Sequence, residues 1–305
     1  MALRHVVEVS QFDRAEVERL FDLADQMRSL PRDARPLGGL ILATIFYEPS
    51  TRTRLSFESA MMRLGGQVIS TENAREFSSA IKGETIEDTV RIVESYADAI
   101  VIRHYEQGAA RRAASVSSVP IINGGDGPGE HPTQALLDLY TIRHELGRID
   151  NIKIALVGDL RFGRTARSLS LLFRLTTGAE LIFVSPPEVP MGADIRAKLD
   201  EARVRHREET DLAKVLPEVD VVYQTRIQKE RFATPEEYAA AKGVYILDQP
   251  AFDALQPDAI VLHPLPRVDE IATAVDQDPR AAYFRQAKNG VYIRRALLAS
   301  VLGAV

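Results

Sequence analysis

The 305-residue chain carries 38 lysines and arginines against 43 aspartates and glutamates, a formal charge of −5, and it has no cysteine. Length alone suggests roughly two domains of about 150 residues, large enough to bury a core without covalent or metal staples. The missing thiols exclude disulfides, cysteine-bound zinc, iron–sulfur clusters and a thiol nucleophile, and the acidic balance argues against a general nucleic-acid binder.

The predicted elements alternate between helix and strand. Gln11 to Leu30 spaces Val17, Leu20, Phe21, Ala24 and Met27 as one helix face. Leu40 to Tyr47 is an uncharged run suited to a buried strand, followed by a helix with Phe57, Ala60, Met61 and Leu64 on one side and Gly65-Gly66 at its end. Ile86 to Tyr96 reads as helix, Ala99 to Ile102 and Pro120 to Asn123 as strands, and Gly124 to Gly129 is the densest cluster of breakers. Pro132 to Leu146 is one long helix. A second series then offers strands at Ile152–Val157, Leu181–Val184, Val219–Tyr223 and Ile260–Leu262, a helix at Thr165–Leu175, and a closing helix at Val291–Leu302. This is α/β alternation, and it predicts two doubly wound parallel-sheet domains joined by interdomain helices. The expected boundaries are residues 1–131, a connecting helix over 132–147, residues 148–287, and a last helix, 288–305, returning to the first domain. No stretch reaches the ~18 apolar residues of a membrane span, and the amino terminus lacks a secretory apolar core, so the cytoplasm is the expected compartment.

Several segments carry candidate chemistry. Ser50, Thr51, Arg52, Thr53 and Arg54 open a helix straight after a strand. Free backbone N–H groups, hydroxyls and a guanidinium fork there make an anion cradle; the plainer reading is helix capping beside a solvated arginine face. His131 and Gln134 sit together at the start of the long helix, with Pro132 fitting its first turn. Gly158 to Thr165 follows a strand with phosphate-loop spacing, but Arg164 stands where that motif needs lysine, which leaves a nucleotide site as a rival to an anion contact at Arg164. Arg226 and Gln228 follow another strand and could grip a carboxylate. His263-Pro264-Leu265-Pro266-Arg267 forms a rigid turn whose carbonyls are fixed acceptors. Ser78 and Lys82 lie in a polar segment ending at Gly83, and a lysine so placed is ordinarily a solvated surface residue.

Taken in order, these motifs resemble the transcarbamoylase family over nearly the whole chain. Ser50 to Arg54 and His131 to Gln134 match the family at large, while Thr225 to Arg231 and His263 to Ile271 look like its aspartate branch. The ornithine branch has a cysteine in the Pro-rich turn and a Ser-Met-Gly stretch; this chain has neither. The resemblance implies transfer of the carbamoyl group of carbamoyl phosphate to the amine of L-aspartate, in pyrimidine biosynthesis, with no cofactor and no metal. It would put the phosphate on Ser50, Thr51, Arg52, Thr53 and Arg103, and the carbamoyl oxygen on Thr53, Arg103 and His131. Gln134 and the Pro264 and Leu265 carbonyls would take the amino group, and Arg164, Arg226 and Gln228 the aspartate carboxylates. Ser78 and Lys82 would reach a neighbouring subunit's site, which implies a homotrimer; Ile81 departs from the family, where many members have a second lysine. Regulatory chains or another pathway enzyme are open partners, and no nucleic acid or membrane is expected.

The chemistry suits these residue types. Direct attack by the amine through a tetrahedral oxyanion needs no enzyme nucleophile, and the arginines and Lys82 offset the charge of two anionic substrates. Glu48, out of place beside a phosphate cradle, is expected to pair with Arg164 or Arg231 across the domains. The rivals are a relative acting on ornithine or another amine, a non-catalytic subunit that keeps the fold, and a nucleotide-binding enzyme.

Overall fold

The computed structural model describes residues 4–74, 83–227, 234 and 243–304. They divide into two compact units, Met1–Leu136 with Asn289–Val305, and Leu137–Lys288. Each is built on one parallel sheet with flanking helices.

The first sheet contains β1 (Ile41–Phe46), β2 (Gln67–Glu72), β3 (Ala99–His104) and β4 (Ile121–Asp126) in the order β2-β1-β3-β4. The central strands β1 and β3 are buried almost throughout, as apolar runs covered on both faces must be. Its helices are α1 (Arg14–Ser29), α2 (Thr51–Arg63), α3 (Ile86–Val93) and α4 (Ala109–Val116). The five apolar positions read from the spacing of α1 are all buried, and Asp13 and Glu16 close a capping box at its start. Gly65, at φ +88°, ends α2 in the left-handed conformation that glycine adopts without steric cost. Two elements escaped the sequence reading here. β2 is a polar, largely exposed edge strand with no apolar alternation, and α4 is a short alanine-rich helix between turn signals.

The second sheet contains β5 (Lys153–Val157), β6 (Glu180–Val184), β7 (Arg205–Glu209), β8 (Val221–Gln224) and β9 (Ile260–Leu262) in the order β7-β6-β5-β8-β9. The helices that follow in the chain are α5 (Pro132–Leu146), α6 (Arg164–Leu172), α7 (Ala193–Glu201), α8 (Leu212–Val215), α9 (Gln249–Asp253) and α10 (Tyr283–Val301). The sequence Arg-His-Arg-Glu-Glu of β7 carries no hydrophobic period, so this edge strand was also missed; Arg207 pairs with Glu180 of β6 at 3.4 Å and Arg196 of α7 with Glu208 at 3.1 Å. α10 begins at Tyr283 rather than Val291, because Gly290 is accommodated within the helix instead of starting it.

The division between units falls inside α5 and α10. The C-terminal part of α10 packs on the first unit: Arg28 donates to Asn289 Oδ1 at 2.8 Å, Arg294 to Ser56 Oγ at 2.9 Å, and Arg295 to the Met27 carbonyl at 2.6 Å. Among the described residues no helix is long and apolar enough to cross a membrane.

Both strand orders reverse beside their first strand. From β1 the chain builds β2 on one side and β3 on the other; from β5 it builds β6 and β7, then returns to β8. In open α/β sheets the crevice at the carboxyl ends beside such a reversal is where ligands bind.

Candidate active site

In the first unit that position lies between β1 and β3. Four residues separate the end of β1 from the start of α2, with Ser50 at the N-cap, and the Ser50 hydroxyl makes no capping hydrogen bond. The plain capping reading of Ser50 therefore fails, and the positive end of the α2 dipole is left without that side chain. Arg52 is exposed, and among the described residues no carboxylate pairs with it. Loss of solvent around part of the side chain pulls its guanidinium below the ordinary arginine range, and no anion among the described residues offsets this.

Arg54 differs completely. It pairs with Glu72 of β2 at 3.0 Å and with Glu58 at 3.3 Å, and it donates to Ser70 Oγ at 3.1 Å. Glu58 in turn accepts from Ser70 at 2.7 Å and from the fully buried Thr44 of β1 at 3.0 Å. Arg54 thus fastens α2 to β1 and β2, and Arg52 is the guanidinium open to a ligand. The sequence could not separate the two, because Ser70 and Glu72, two of the three partners of Arg54, sit on the strand it failed to show.

Arg103, the last but one residue of β3, stands opposite Phe46 of β1, donates to the Gly124 carbonyl at 3.2 Å and lies 3.6 Å from Glu48. Within its own unit, then, Glu48 stands beside Arg103, a neighbour the sequence reading did not consider. β4 extends through Gly124 and Gly125 to Asp126, a stretch that reads as pure breaker in sequence. The buried Asp126 carboxylate accepts the N–H groups of Gly108 and Glu130, each at 2.7 Å. That closes the 126–130 turn and delivers His131 to the start of α5. His131, Gln134 and Thr53 are each less than a tenth exposed, so their polar groups are held in a water-poor setting where hydrogen bonds count for more. Asp126 is the organising residue that sequence reasoning missed; an aspartate within a glycine cluster was its only signal.

In the second unit Arg164 opens α6 after β5, and Arg226 follows β8 on the adjacent strand. A cavity here is lined by Gly158, Thr225, Arg226, Tyr245, Val268 and Glu270, among others. Thr225 bonds the Val157 carbonyl through both its N–H, at 2.8 Å, and its hydroxyl, at 2.9 Å. Gly158 sits at φ +114°, and a Cβ there would come within 2.3 Å of the Thr225 carbonyl oxygen. Gly158→Ala is expected to cost about 2 kcal/mol or more of stability, read by a thermal melt. In the same loop the fully buried Asp159 accepts the Phe162 N–H at 2.9 Å. A carboxylate therefore occupies a loop that a nucleotide's phosphates would need, which removes the physical basis of the phosphate-loop reading. Pro264 and Leu265 follow β9 in a turn whose Leu265–Pro266 peptide is cis. Ser78, Lys82, Gln228 and Arg231 lie outside the described residues.

These features define an α/β protein of two parallel-sheet units, each with arginines near the carboxyl ends of its central strands. Residues 4–144 match the family model described as aspartate/ornithine carbamoyltransferase, carbamoyl-P binding domain, and residues 150–301 match the aspartate/ornithine carbamoyltransferase, Asp/Orn binding domain. The chain belongs to the aspartate/ornithine carbamoyltransferase family, within its aspartate branch. It is 55% identical to the chloroplastic aspartate carbamoyltransferase of Oryza sativa subsp. japonica over 311 residues, covering 99% of this chain and 86% of that protein. It is 49% identical to the aspartate carbamoyltransferase catalytic subunit of Methanopyrus kandleri over 306 residues, covering 99% and 98%. The catalytic subunit of M. jannaschii aspartate transcarbamoylase superposes with a TM-score of 0.91 at 46% identity, covering 99% of this chain and 98% of that one. Trypanosoma cruzi aspartate transcarbamoylase in complex with N-(phosphonacetyl)-L-aspartic acid gives 0.91 at 42% identity, covering 98% and 95%.

Proposed function

We propose that the chain transfers the carbamoyl group of carbamoyl phosphate to the amine of L-aspartate, giving N-carbamoyl-L-aspartate and phosphate. The observation that carries this reading is Arg52, a guanidinium without a carboxylate partner among the described residues, at a helix start that Ser50 does not cap, following the strand β1 whose neighbour β3 carries Arg103 opposite Phe46 at a strand-order reversal. The solved T. cruzi relative in complex with carbamoyl phosphate and aspartate supports the choice of substrates.

In this mechanism Ser50, Thr51, Arg52, Thr53 and Arg103 hold the phosphate. Thr53, Arg103 and His131 take the carbamoyl oxygen, and Gln134 with the Pro264 and Leu265 carbonyls takes the amino group. Arg164, Arg226 and Gln228 hold the two aspartate carboxylates. The amine nitrogen attacks the carbamoyl carbon and the carbonyl electrons move onto oxygen. As the tetrahedral intermediate collapses, the bond from carbon to the phosphate oxygen breaks, and the proton lost by nitrogen leaves on the phosphate. No covalent enzyme intermediate forms; donors fixed around the developing oxyanion supply the acceleration, each typically worth about 3–4 kcal/mol. Ser78 and Lys82 are assigned to a neighbouring subunit's site in a homotrimer, with the cytoplasm as the compartment, although plant relatives are chloroplastic.

Phosphate release from carbamoyl phosphate, measured with aspartate and separately with ornithine, tests the reading. Release with aspartate alone is expected. Release with ornithine, or with neither amine, contradicts it.

A further inference from the structure

Beyond β9 the chain runs from His263 to Glu270, and two buried titratable side chains in it have no part in the chemistry above. The His263 side chain is 1% exposed and that of Glu270 8%, and His263 Nε2 lies 2.7 Å from Glu270 Oε1. The other ring nitrogen, Nδ1, accepts the Leu265 N–H at 2.7 Å. A backbone amide only donates, so Nδ1 carries a lone pair and the ring proton sits on Nε2, given to Glu270. The second Glu270 oxygen accepts the N–H groups of Val268 at 3.1 Å and Asp269 at 3.2 Å. Burial works to raise the Glu270 carboxyl, but the bond from His263 and the backbone amides hold it below the ordinary carboxylate range, so it stays ionised.

The backbone of His263 is anchored as well. Its N–H donates to Gln286 Oε1 at 2.8 Å, and Gln286 Nε2 donates to Asp138 Oδ1 at 2.6 Å. Asp138 also accepts the Tyr223 hydroxyl at 2.7 Å. The imidazole therefore projects from a fixed point toward a turn with few means of holding itself. Pro264 and Pro266 have no N–H, which leaves the Leu265 amide as the one backbone donor across 264–266. Leu265 adopts φ +54°, a left-handed conformation that strains a branched residue unless its surroundings fix it.

We propose that Glu270, acting through the tautomer it imposes on His263, is a positioning residue that sets the Pro264 and Leu265 carbonyls for the carbamoyl amino group. This rests on the reaction proposed above and adds to it a requirement for an acceptor at Nδ1 of residue 263.

Two conservative replacements separate the ends of the ring. His263→Gln keeps a donor near the Nε2 position and removes the acceptor; His263→Asn places a carbonyl oxygen where Nδ1 stands. Initial rates with carbamoyl phosphate and aspartate, together with inhibition by inorganic phosphate, give the reading. Inorganic phosphate has no amino group, so its grip by the first unit is independent of the turn. His263→Gln is expected to raise the KM for carbamoyl phosphate about tenfold with the phosphate Ki unchanged, and His263→Asn to recover most of the loss. Equal impairment in both variants, a phosphate Ki that moves with KM, or no effect in either overturns the proposal. Should His263→Gln fail to fold in a circular-dichroism melt, Glu270→Gln sets an amide donor against the Val268 and Asp269 N–H groups or the His263 donor. The same split, about threefold, is then expected, and an unchanged KM overturns the proposal. Failure of the underlying reaction is distinct: the unaltered protein would release no phosphate at all.

Discussion

Arg52→Ala is expected to lower kcat/KM for carbamoyl phosphate by about a thousandfold, with the melting temperature nearly unchanged. The two halves of this expectation have separate causes. Arg52 is exposed and makes no ion pair within the described residues, so removing it breaks little that holds the fold. Its guanidinium would nevertheless be the strongest fixed positive charge beside the start of α2, where phosphate charge must be accommodated as the carbon–oxygen bond breaks. Losing one such donor costs up to about 4 kcal/mol of transition-state stabilisation, a factor of about a thousand. Arg54→Ala supplies the control. Its bonds to Glu58, Glu72 and Ser70 predict a loss of about 1–2 kcal/mol in stability, with a far smaller change in rate. Steady-state kinetics and a thermal melt on both variants check the pair, and the account fails if Arg54→Ala is the catalytically damaging one.

The second large effect is expected from Arg226→Ala, with the KM for aspartate raised about 10- to 100-fold and the KM for carbamoyl phosphate little changed. A hydrogen-bonded pair between guanidinium and carboxylate is worth about 1.5–3 kcal/mol, which sets that range. The asymmetry follows from placement. Arg226 leaves β8 in the second unit, held there by the doubly bonded Thr225 against Val157, whereas the phosphate cradle belongs to the first unit. Initial-rate kinetics with each substrate varied in turn measure both constants. A KM for carbamoyl phosphate that rose as steeply would show that Arg226 serves the other substrate.

Much of this molecule was legible in its sequence because burial writes a clear pattern. The runs Ile41–Phe46 and Ala99–Ile102 are apolar since both faces of a central parallel strand are covered, and α1 shows its helical period since one face packs on the core. The edge strands β2 and β7 were not legible for the converse reason: half-exposed, one mostly polar and the other charged, they satisfy the sheet's hydrogen bonds without an alternating apolar pattern. That omission carried into the site. Two arginines, Arg52 and Arg54, look alike in a line of hydroxyl residues, and only the ladder that pairs β2 with β1 brings Glu72 and Ser70 to Arg54. Likewise, His263 and Glu270 are seven positions apart in a proline-rich stretch. Their sequence declares a rigid turn, but the tautomer of the ring depends on which amide reaches Nδ1, and that is fixed only once Gln286 anchors the backbone. The glycine run before His131 misled in the opposite direction. It reads as a cluster of breakers, yet part of it is strand and the rest is drawn tight by one buried aspartate.

The central claim is that the start of α2 grips the phosphate of carbamoyl phosphate, and diffraction from crystals of the protein soaked in that compound tests it most directly. The account predicts phosphate oxygens within about 2.7–3.2 Å of the Arg52 guanidinium and of the backbone N–H groups opening the helix. Density for the ligand elsewhere, with Arg52 facing only solvent, would contradict it.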